Sequence, residues 1–252
     1  MELQGKFAVV TGGGSGIGLA ISRALRAAGA DALIVGRDQE RLATARGGDA
    51  GITTFVADLT DDGDRDRLVE HLAEGRPPDV LVNNAGTMTD IDLHDRCAAR
   101  TMENEMALDL SAPMYLTMSL LPALLGRPEA AVVNVTTGLV YAPFGRMPAY
   151  AAAKAGVHAF SQALRHQTRR DGLHVLEVLP PTVDTELTSS YGGSKIQPET
   201  VGSAVVKALI NGTTELRIGQ AKFLYAMSRI APNAIFTLMN KTADNLATKA
   251  HS

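Results

Sequence analysis

A doubly wound parallel α/β sheet with helices on both faces is the fold class this sequence predicts, on three observations. Short apolar runs alternate with longer amphipathic stretches along the chain. Most of the short runs are continuously apolar, as expected of strands in a sheet covered on both faces. A glycine-rich turn, Thr11-Gly12-Gly13-Gly14-Ser15-Gly16-Ile17-Gly18, joins the first run to the first amphipathic stretch.

In chain order, strands are expected over residues 7–10, 32–35, 53–57, 80–82, 131–135, 175–179 and 215–218. Helical periodicity occupies the intervals near 16–29, 38–46, 61–74, 100–125 and 150–171, where apolar residues recur three or four apart. Residues 184–200, running through Tyr191-Gly192-Gly193 to Pro198, read as the only loop of any length. With no linker, repeat or low-complexity stretch, residues 1–252 read as one domain, with 220–252 as a C-terminal helical tail.

Composition excludes several function classes. The 252 residues are 45% hydrophobic with a net charge of −3, and their Lys and Arg form no basic stripe, so no nucleic-acid partner is expected. No uninterrupted apolar stretch of about 18 residues occurs, which argues against a membrane span. Cys97 is the only cysteine; it reads as inert, and together with an N-terminus lacking a signal-peptide pattern it makes a cytoplasmic location the expectation. The histidines at 71, 94, 158, 166, 174 and 251 lack metal-ligand spacing, so no metal is expected. Met102, Met106, Met114 and Met118 read as core or subunit packing.

The glycine-rich turn carries the first chemical signal. Gly12 lets the chain reverse sharply, Gly16 removes a side chain where a pyrophosphate would approach, and Gly18 permits close helix–strand packing. Free N–H groups and the positive end of the helix dipole then face an anion, as in Rossmann-type dinucleotide sites. A P-loop is excluded because Leu19, not lysine, follows Gly18; a serine-hydrolase elbow fails because Ile17 stands where its second glycine belongs.

Tyr150 and Lys154 carry the second. Four residues apart at a helix start, they share one face with Cβ atoms roughly 5–6 Å apart, and the alanines between them leave room for another molecule. A phenol with an ordinary pKa of about 10 is a poor acid at neutral pH. A neighbouring ammonium is expected to lower that value and suit Tyr150 to donate or accept a proton. Thr137, just after a strand, has a hydroxyl able to bond a substrate oxygen.

Taken together, these motifs resemble the short-chain dehydrogenase/reductase family over the whole chain. They are Thr11-Gly12-x-x-x-Gly16-x-Gly18, Asp58-Leu59, Asn83-Asn84-Ala85-Gly86, Thr137, Tyr150-x-x-x-Lys154 and Pro180-Pro181-x-Val183-x-Thr185. The segment Glu215–Gln220, with Ala231-Pro232-Asn233 beyond, is similar to a bacterial subgroup labelled DltE-like. The resemblance implies a nicotinamide cofactor with its pyrophosphate on the 11–18 turn, lined by Ser15 and Ile17. It implies adenine at Asp58-Leu59, ribose along the backbone of Asn84-Ala85-Gly86, carboxamide at Val183, and Thr185 beside the nicotinamide or its phosphate. Lys154 would hold the nicotinamide ribose as well as tune Tyr150.

Three positions depart from the family pattern. Thr137 stands where serine is usual, and Pro181 where glycine is usual. Asp109 stands where an asparagine usually holds a relay water behind the lysine, and its charge is expected to pair with Lys154 and weaken that residue's hold on Tyr150. At the end of the second strand, Gly36 leaves empty the place of an acidic residue for the ribose 2′-hydroxyl. Arg37 follows, suited to a 2′-phosphate, so NADP is preferred over NAD, with Asp38 as the counter-argument.

The expected reaction is carbonyl–alcohol interconversion on a small molecule. Residues 87–95, 138–147 and 186–200 would meet the substrate, and Leu139, Val140, Phe144, Met147, Leu187 and Tyr191 suggest an apolar one. A non-catalytic NADP-binding sensor or partner protein, and a reductase of C=N or C=C bonds, are the alternatives. Family habit implies a homodimer or homotetramer. The apolar tail is expected to pack against the protein, either over the substrate pocket or in a dimer, ahead of resting on a membrane surface.

Overall fold

Alternate residues of each strand face different covering layers, and the apolar runs therefore form a sheet buried on both sides. The computed structural model describes the backbone of residues 1–250 and the side chains of residues 1–241. Its strands are β1 (Phe7–Thr11), β2 (Asp31–Gly36), β3 (Ile52–Val56), β4 (Val80–Asn83), β5 (Ala130–Val135), β6 (Leu173–Leu179) and β7 (Glu215–Arg217). All pair in parallel, in the order β3-β2-β1-β4-β5-β6-β7. The chain runs outward in both directions from β1 and β4, so a crevice opens between their carboxyl ends.

On one face Ala8, Val10, Val82 and Val133 pack against Ile21 and Leu25 of α1 (Gly16–Ala27) and Val201, Val205 and Leu209 of α7 (Pro198–Asn211). On the other, Val9, Leu33, Leu81 and Val132 meet three helices. These are α3 (Asp62–Glu74) through Leu68 and Leu72, α5 (Ala112–Leu125) through Leu116, Leu120 and Leu124, and α6 (Pro148–Gln167) through Leu164. A small helix, α2 (Gln39–Arg46), closes the β2–β3 end through Leu42 and Ala45.

Strand positions match the expected ones to within a residue or two, but three features differ. Helix α7 was not expected, although Val201, Val205 and Leu209 recur at helical spacing between Pro198 in the first turn and Gly212, a left-handed C-cap. The stretch expected as one helix over 100–125 is α4 (Ala98–Met106), a π turn (Ala107–Ser111) and α5, a single rod interrupted by one wide turn. By length and composition that 28-residue rod, Ala98–Leu125, is apolar enough to cross a membrane, contrary to the expectation that no segment would be. Its apolar character has another use, since Leu116, Leu120 and Leu124 cover the sheet.

The tail forms α8 (Gln220–Ile230) and α9 (Pro232–Ala250). Helix α8 lies against Gly138, where a Cβ would stand 3.1 Å from the Ala221 Cβ and 3.3 Å from Leu224 Cδ1. Asn240 clamps the 143–145 loop, donating to the Pro143 carbonyl (3.0 Å) and accepting from the Gly145 N–H (2.6 Å). Packing is thus one role of the tail, though Ile230 and Phe236 remain exposed. The tail's side chains beyond residue 241, His251 among them, lie outside the described residues.

Candidate active site

The glycine turn is a cradle because side chains have no room in it. Gly12 and Gly16 adopt left-handed φ of 63° and 51°. A Cβ at Gly18 would stand 2.3 Å from the Gly12 carbonyl oxygen and 2.5 Å from Asn84 Nδ2. A Cβ at Gly16 would stand 3.1 Å from the Thr185 methyl across the crevice. Ser15 occupies the N-cap position of α1 without a side-chain cap bond, and Ile17 leans on the core. Two braces hold the turn. Thr11 Oγ1 accepts from the N–H groups of Asn84 (2.9 Å) and Ala85 (3.0 Å), and Asn84 Nδ2 donates to the Thr11 carbonyl (2.9 Å). Gly13, not singled out in the sequence, is as restricted, since a Cβ there would stand 2.7 Å from Ile34 Cβ.

At the β2–β3 end of the crevice, Arg37 is exposed while Asp38 is committed locally: its carboxylate caps α2 by accepting from the Arg41 N–H at 3.0 Å. Asp58 Oδ1 accepts from the Thr60 N–H (2.9 Å) and hydroxyl (2.7 Å). Those bonds, with the Arg37 charge as a lesser influence, hold its carboxyl below the ordinary value. Leu59 contributes no side chain to the crevice. It is buried in the core with Leu68 and Leu72, and its carbonyl accepts from Arg65.

The reacting groups gather at the carboxyl end of β5. Thr137 follows the strand and accepts from the Leu139 N–H at 3.2 Å. Its hydroxyl is near enough to the Tyr150 phenol to favour the phenol's ionisation, and Tyr150 is 9% exposed. Lys154 Nζ lies 5.9 Å from the centre of the Tyr150 ring, donates to the Val135 carbonyl at 3.3 Å and stands 3.5 Å from Asp109 Oδ2. Asp109 comes from the π turn, a distortion that recurs at functional sites, and its Oδ1 accepts from the Thr87 N–H at 2.8 Å. Gly86 is what lets them meet: a Cβ there would stand 3.0 Å from Asp109 Oδ2 and 3.2 Å from Lys154 Nζ.

Electrostatics here correct one expectation. Burial pushes the Tyr150 phenol above its ordinary value, with the negative charge of Asp109 adding to it and the Thr137 hydrogen bond opposing. Burial overrides the downward shift expected from Lys154, whose ammonium is paired with Asp109, as the substitution at that position led one to expect. Burial likewise raises the Asp109 carboxyl, against the pull of Lys154 and of the Thr87 N–H. Helix α6 is fixed on the sheet by the face that carries Lys154. Ser161 accepts from Asn134 Nδ2 (2.8 Å), and the His158 ring bonds the buried Glu177 (2.8 Å).

Val183 is buried at the base of the 184–197 loop, which its bridge to Ile196 closes. Thr185 caps the short 3₁₀ turn Glu186–Thr188. Leu139, Val140 and Phe144 line an apolar cavity of about 370 Å³ with Ala151, Ala152 and Phe236. Thr137, Tyr150 and Lys154 are not among the residues that line it. Glu105, buried one turn before Asp109, was missed, because Glu103-Asn104-Glu105 reads as a solvated face.

Residues 6–195 match the family model described as short chain dehydrogenase. The chain belongs to the short-chain dehydrogenase family. A Bacillus subtilis protein named "Uncharacterized oxidoreductase DltE" is 38% identical over 189 residues, 74% of this chain and 75% of that one. A "Fatty acyl-CoA reductase" of Acinetobacter baylyi is 30% identical over 95% of this chain and 84% of its own length. Among solved structures, a short chain dehydrogenase from Burkholderia cenocepacia in complex with NADP superposes with a TM-score of 0.82 at 25% identity, covering 94% of this chain and 98% of that one. This short-chain dehydrogenase is therefore an oxidoreductase of the DltE-like type that uses a nicotinamide cofactor.

Proposed function

We propose that this dehydrogenase interconverts a carbonyl compound and an alcohol with NADP(H), using Tyr150 as the acid and base. The observation that carries the reading is the gathering at the end of β5 of Thr137, the Tyr150 phenol it influences, and Lys154, whose Nζ lies 5.9 Å from the Tyr150 ring centre and donates to the Val135 carbonyl. In reduction, the nicotinamide held in this crevice would supply the hydride for the carbonyl carbon. Thr137 orients the carbonyl oxygen, and the Tyr150 O–H delivers the proton to it as the alkoxide forms. The phenol's raised pKa keeps it protonated, which suits donation. Lys154 restores the phenol and would hold the nicotinamide ribose.

The cradle fits a dinucleotide: a Cβ at Gly16 would project toward Thr185 across the crevice where a pyrophosphate needs room, while Gly12 and Gly18 let the turn close against Asn84 and Ala85. Ser15, Ile17 and the first-turn N–H groups of α1 would face the phosphates, Asn84, Ala85 and Gly86 the ribose, and Val183 and Thr185 the nicotinamide end. The commitment of Asp38 to capping α2 leaves Arg37 as the group for a 2′-phosphate, which favours NADP over NAD. The names of the relatives extend the substrate panel to aldehydes and acyl thioesters. Purified protein mixed with NADPH and a panel of ketones, aldehydes, acyl thioesters and imines tests the reading by loss of cofactor absorbance. Turnover on a carbonyl compound, lost by about 100-fold or more in Tyr150→Phe with cofactor binding intact, is the expected result. Turnover of imines alone, or full activity of Tyr150→Phe, overturns it.

A further inference from the structure

The glycine turn and the end of β2 converge on the first turn of α2. The Gly13 N–H donates to the Val35 carbonyl at 3.3 Å, which sets the turn beside the strand end that leads to Arg37. A Cβ on Gly14 and one on Gly36 would stand 3.5 Å and 3.4 Å from the same atom, Leu42 Cδ2. Its neighbour Arg41 lays its stem along the turn, with Cγ 3.4 Å and Cδ 3.7 Å from where the Gly14 Cβ would be. The Arg41 N–H is held by the Asp38 carboxylate at 3.0 Å, so this root is fixed.

The Arg41 guanidinium already holds an anion. Its Nη2 stands 2.9 Å from Glu186 Oε2, and Glu186 opens the 3₁₀ turn that Thr185 caps on the facing wall of the crevice. The Thr185 methyl in turn lies 3.1 Å from where a Cβ on Gly16 would be. The ion pair therefore joins α2 to the loop after β6 beside Gly14–Gly16, the stretch on which the cofactor's phosphates would lie. Both side chains reach water, Arg41 at 48% and Glu186 at 72% exposure. An ion pair so exposed contributes little to stability, and its cation passes readily to a stronger anion. A phosphate monoester is such an anion, with a charge of about −1.5 to −2 and acceptor oxygens that suit a guanidinium fork.

We propose that Arg41 joins Arg37 in gripping the 2′-phosphate of NADP(H), and that Glu186 is the carboxylate this phosphate displaces. That role rests on the NADP reading and is independent of the reaction catalysed. Arg41 is then a residue of cofactor specificity, and Glu186 sets how much of its charge is left for the phosphate. NADH carries the pyrophosphate without the 2′-phosphate, so it gains nothing from the exchange.

Fluorescence titration of the full chain with NADPH and with NADH tests the exchange without turnover. Arg41→Gln should weaken NADPH binding about tenfold and leave NADH nearly unchanged. Glu186→Gln removes the competitor and should tighten NADPH about threefold, with a smaller effect on NADH. In the double variant NADPH should bind about as in Arg41→Gln alone, since Glu186 acts through Arg41. Equal losses for the two cofactors in Arg41→Gln would assign the arginine to the pyrophosphate and overturn the proposal. So would a Glu186→Gln variant that binds NADPH no more tightly than wild type. A wild type that binds NADH alone overturns the NADP reading and this role together. An Arg37→Ala loss confined to NADPH, beside an Arg41→Gln loss shared by both cofactors, overturns the role of Arg41 and leaves that reading standing.

Discussion

Lys154 Nζ and Asp109 Oδ2 face each other at 3.5 Å in the interior, and the carboxyl of this pair also acts on the Tyr150 phenol. Asp109 adds to burial in raising the phenol, and it occupies the ammonium that would otherwise lower it. Asp109→Asn keeps an oxygen for the Thr87 N–H while removing the charge. Glu105, the other carboxyl group that acts on the phenol, is the weaker influence. The expected outcome is a fall of about one unit in the pH at which Tyr150 ionises. In the alcohol-oxidising direction, where the phenolate is the base, the rising limb of the pH–rate profile should move to lower pH. A limb that stays in place or moves upward would contradict this role for Asp109.

The neighbours Arg37 and Asp38 supply a prediction about cofactor choice. Because Asp38 caps α2 through the Arg41 N–H, its carboxylate is not free to reject a 2′-phosphate. Arg37→Ala should weaken NADPH binding about tenfold or more, the worth of a charge-assisted hydrogen bond, and leave NADH binding nearly unchanged. Fluorescence titration with both cofactors checks it. Equal losses for the two would show that Arg37 does not read the phosphate.

Within the cradle, glycines differ in how much room they have. A methyl at Gly18 would meet the Gly12 carbonyl at 2.3 Å, backbone that cannot yield, whereas at Gly14 its nearest neighbour is Arg41 Cγ at 3.4 Å. Gly18→Ala should cost about 1–3 kcal/mol in stability and impair cofactor binding, while Gly14→Ala stays near neutral. Thermal unfolding of the two variants, followed by cofactor titration, separates them.

The strands were legible because a strand covered on both faces has to be apolar throughout, and runs such as Val80–Val82 have no other simple reading. Tyr150 and Lys154 were legible because helical spacing alone puts them on one face. The π turn was not, since Asp109 reaches Lys154 through a local widening that leaves no mark on hydrophobic period. The direction of the Tyr150 shift was also hidden, because spacing reveals that a charge is near but not how deeply the phenol is buried. Leu59 belonged to a recognisable motif, yet it points into the core. A motif orders residues along the chain without saying which side chain turns which way.

Glu177 and His158 provide a prediction about pH and stability. Glu177 is fully buried and accepts from the Thr136 hydroxyl (2.7 Å), beside Thr137, and from the His158 ring (2.8 Å) on the helix face that carries Lys154. The hydrogen bond to Glu177 raises the His158 pKa above its ordinary value of 6.5, against desolvation. A raised value means that the folded state binds the proton more tightly than the unfolded chain does. The pair's stabilisation is therefore complete below about pH 6.5 and is lost as the pH rises through the folded value. In Glu177→Gln the raising partner is gone, so the stability gap between wild type and variant should be widest in mild acid and narrow toward alkaline pH. Urea unfolding across about pH 5.5 to 9 measures that gap. A gap that widens with pH would mean that His158 is neutral in the folded protein and that its bond to Glu177 carries no charge.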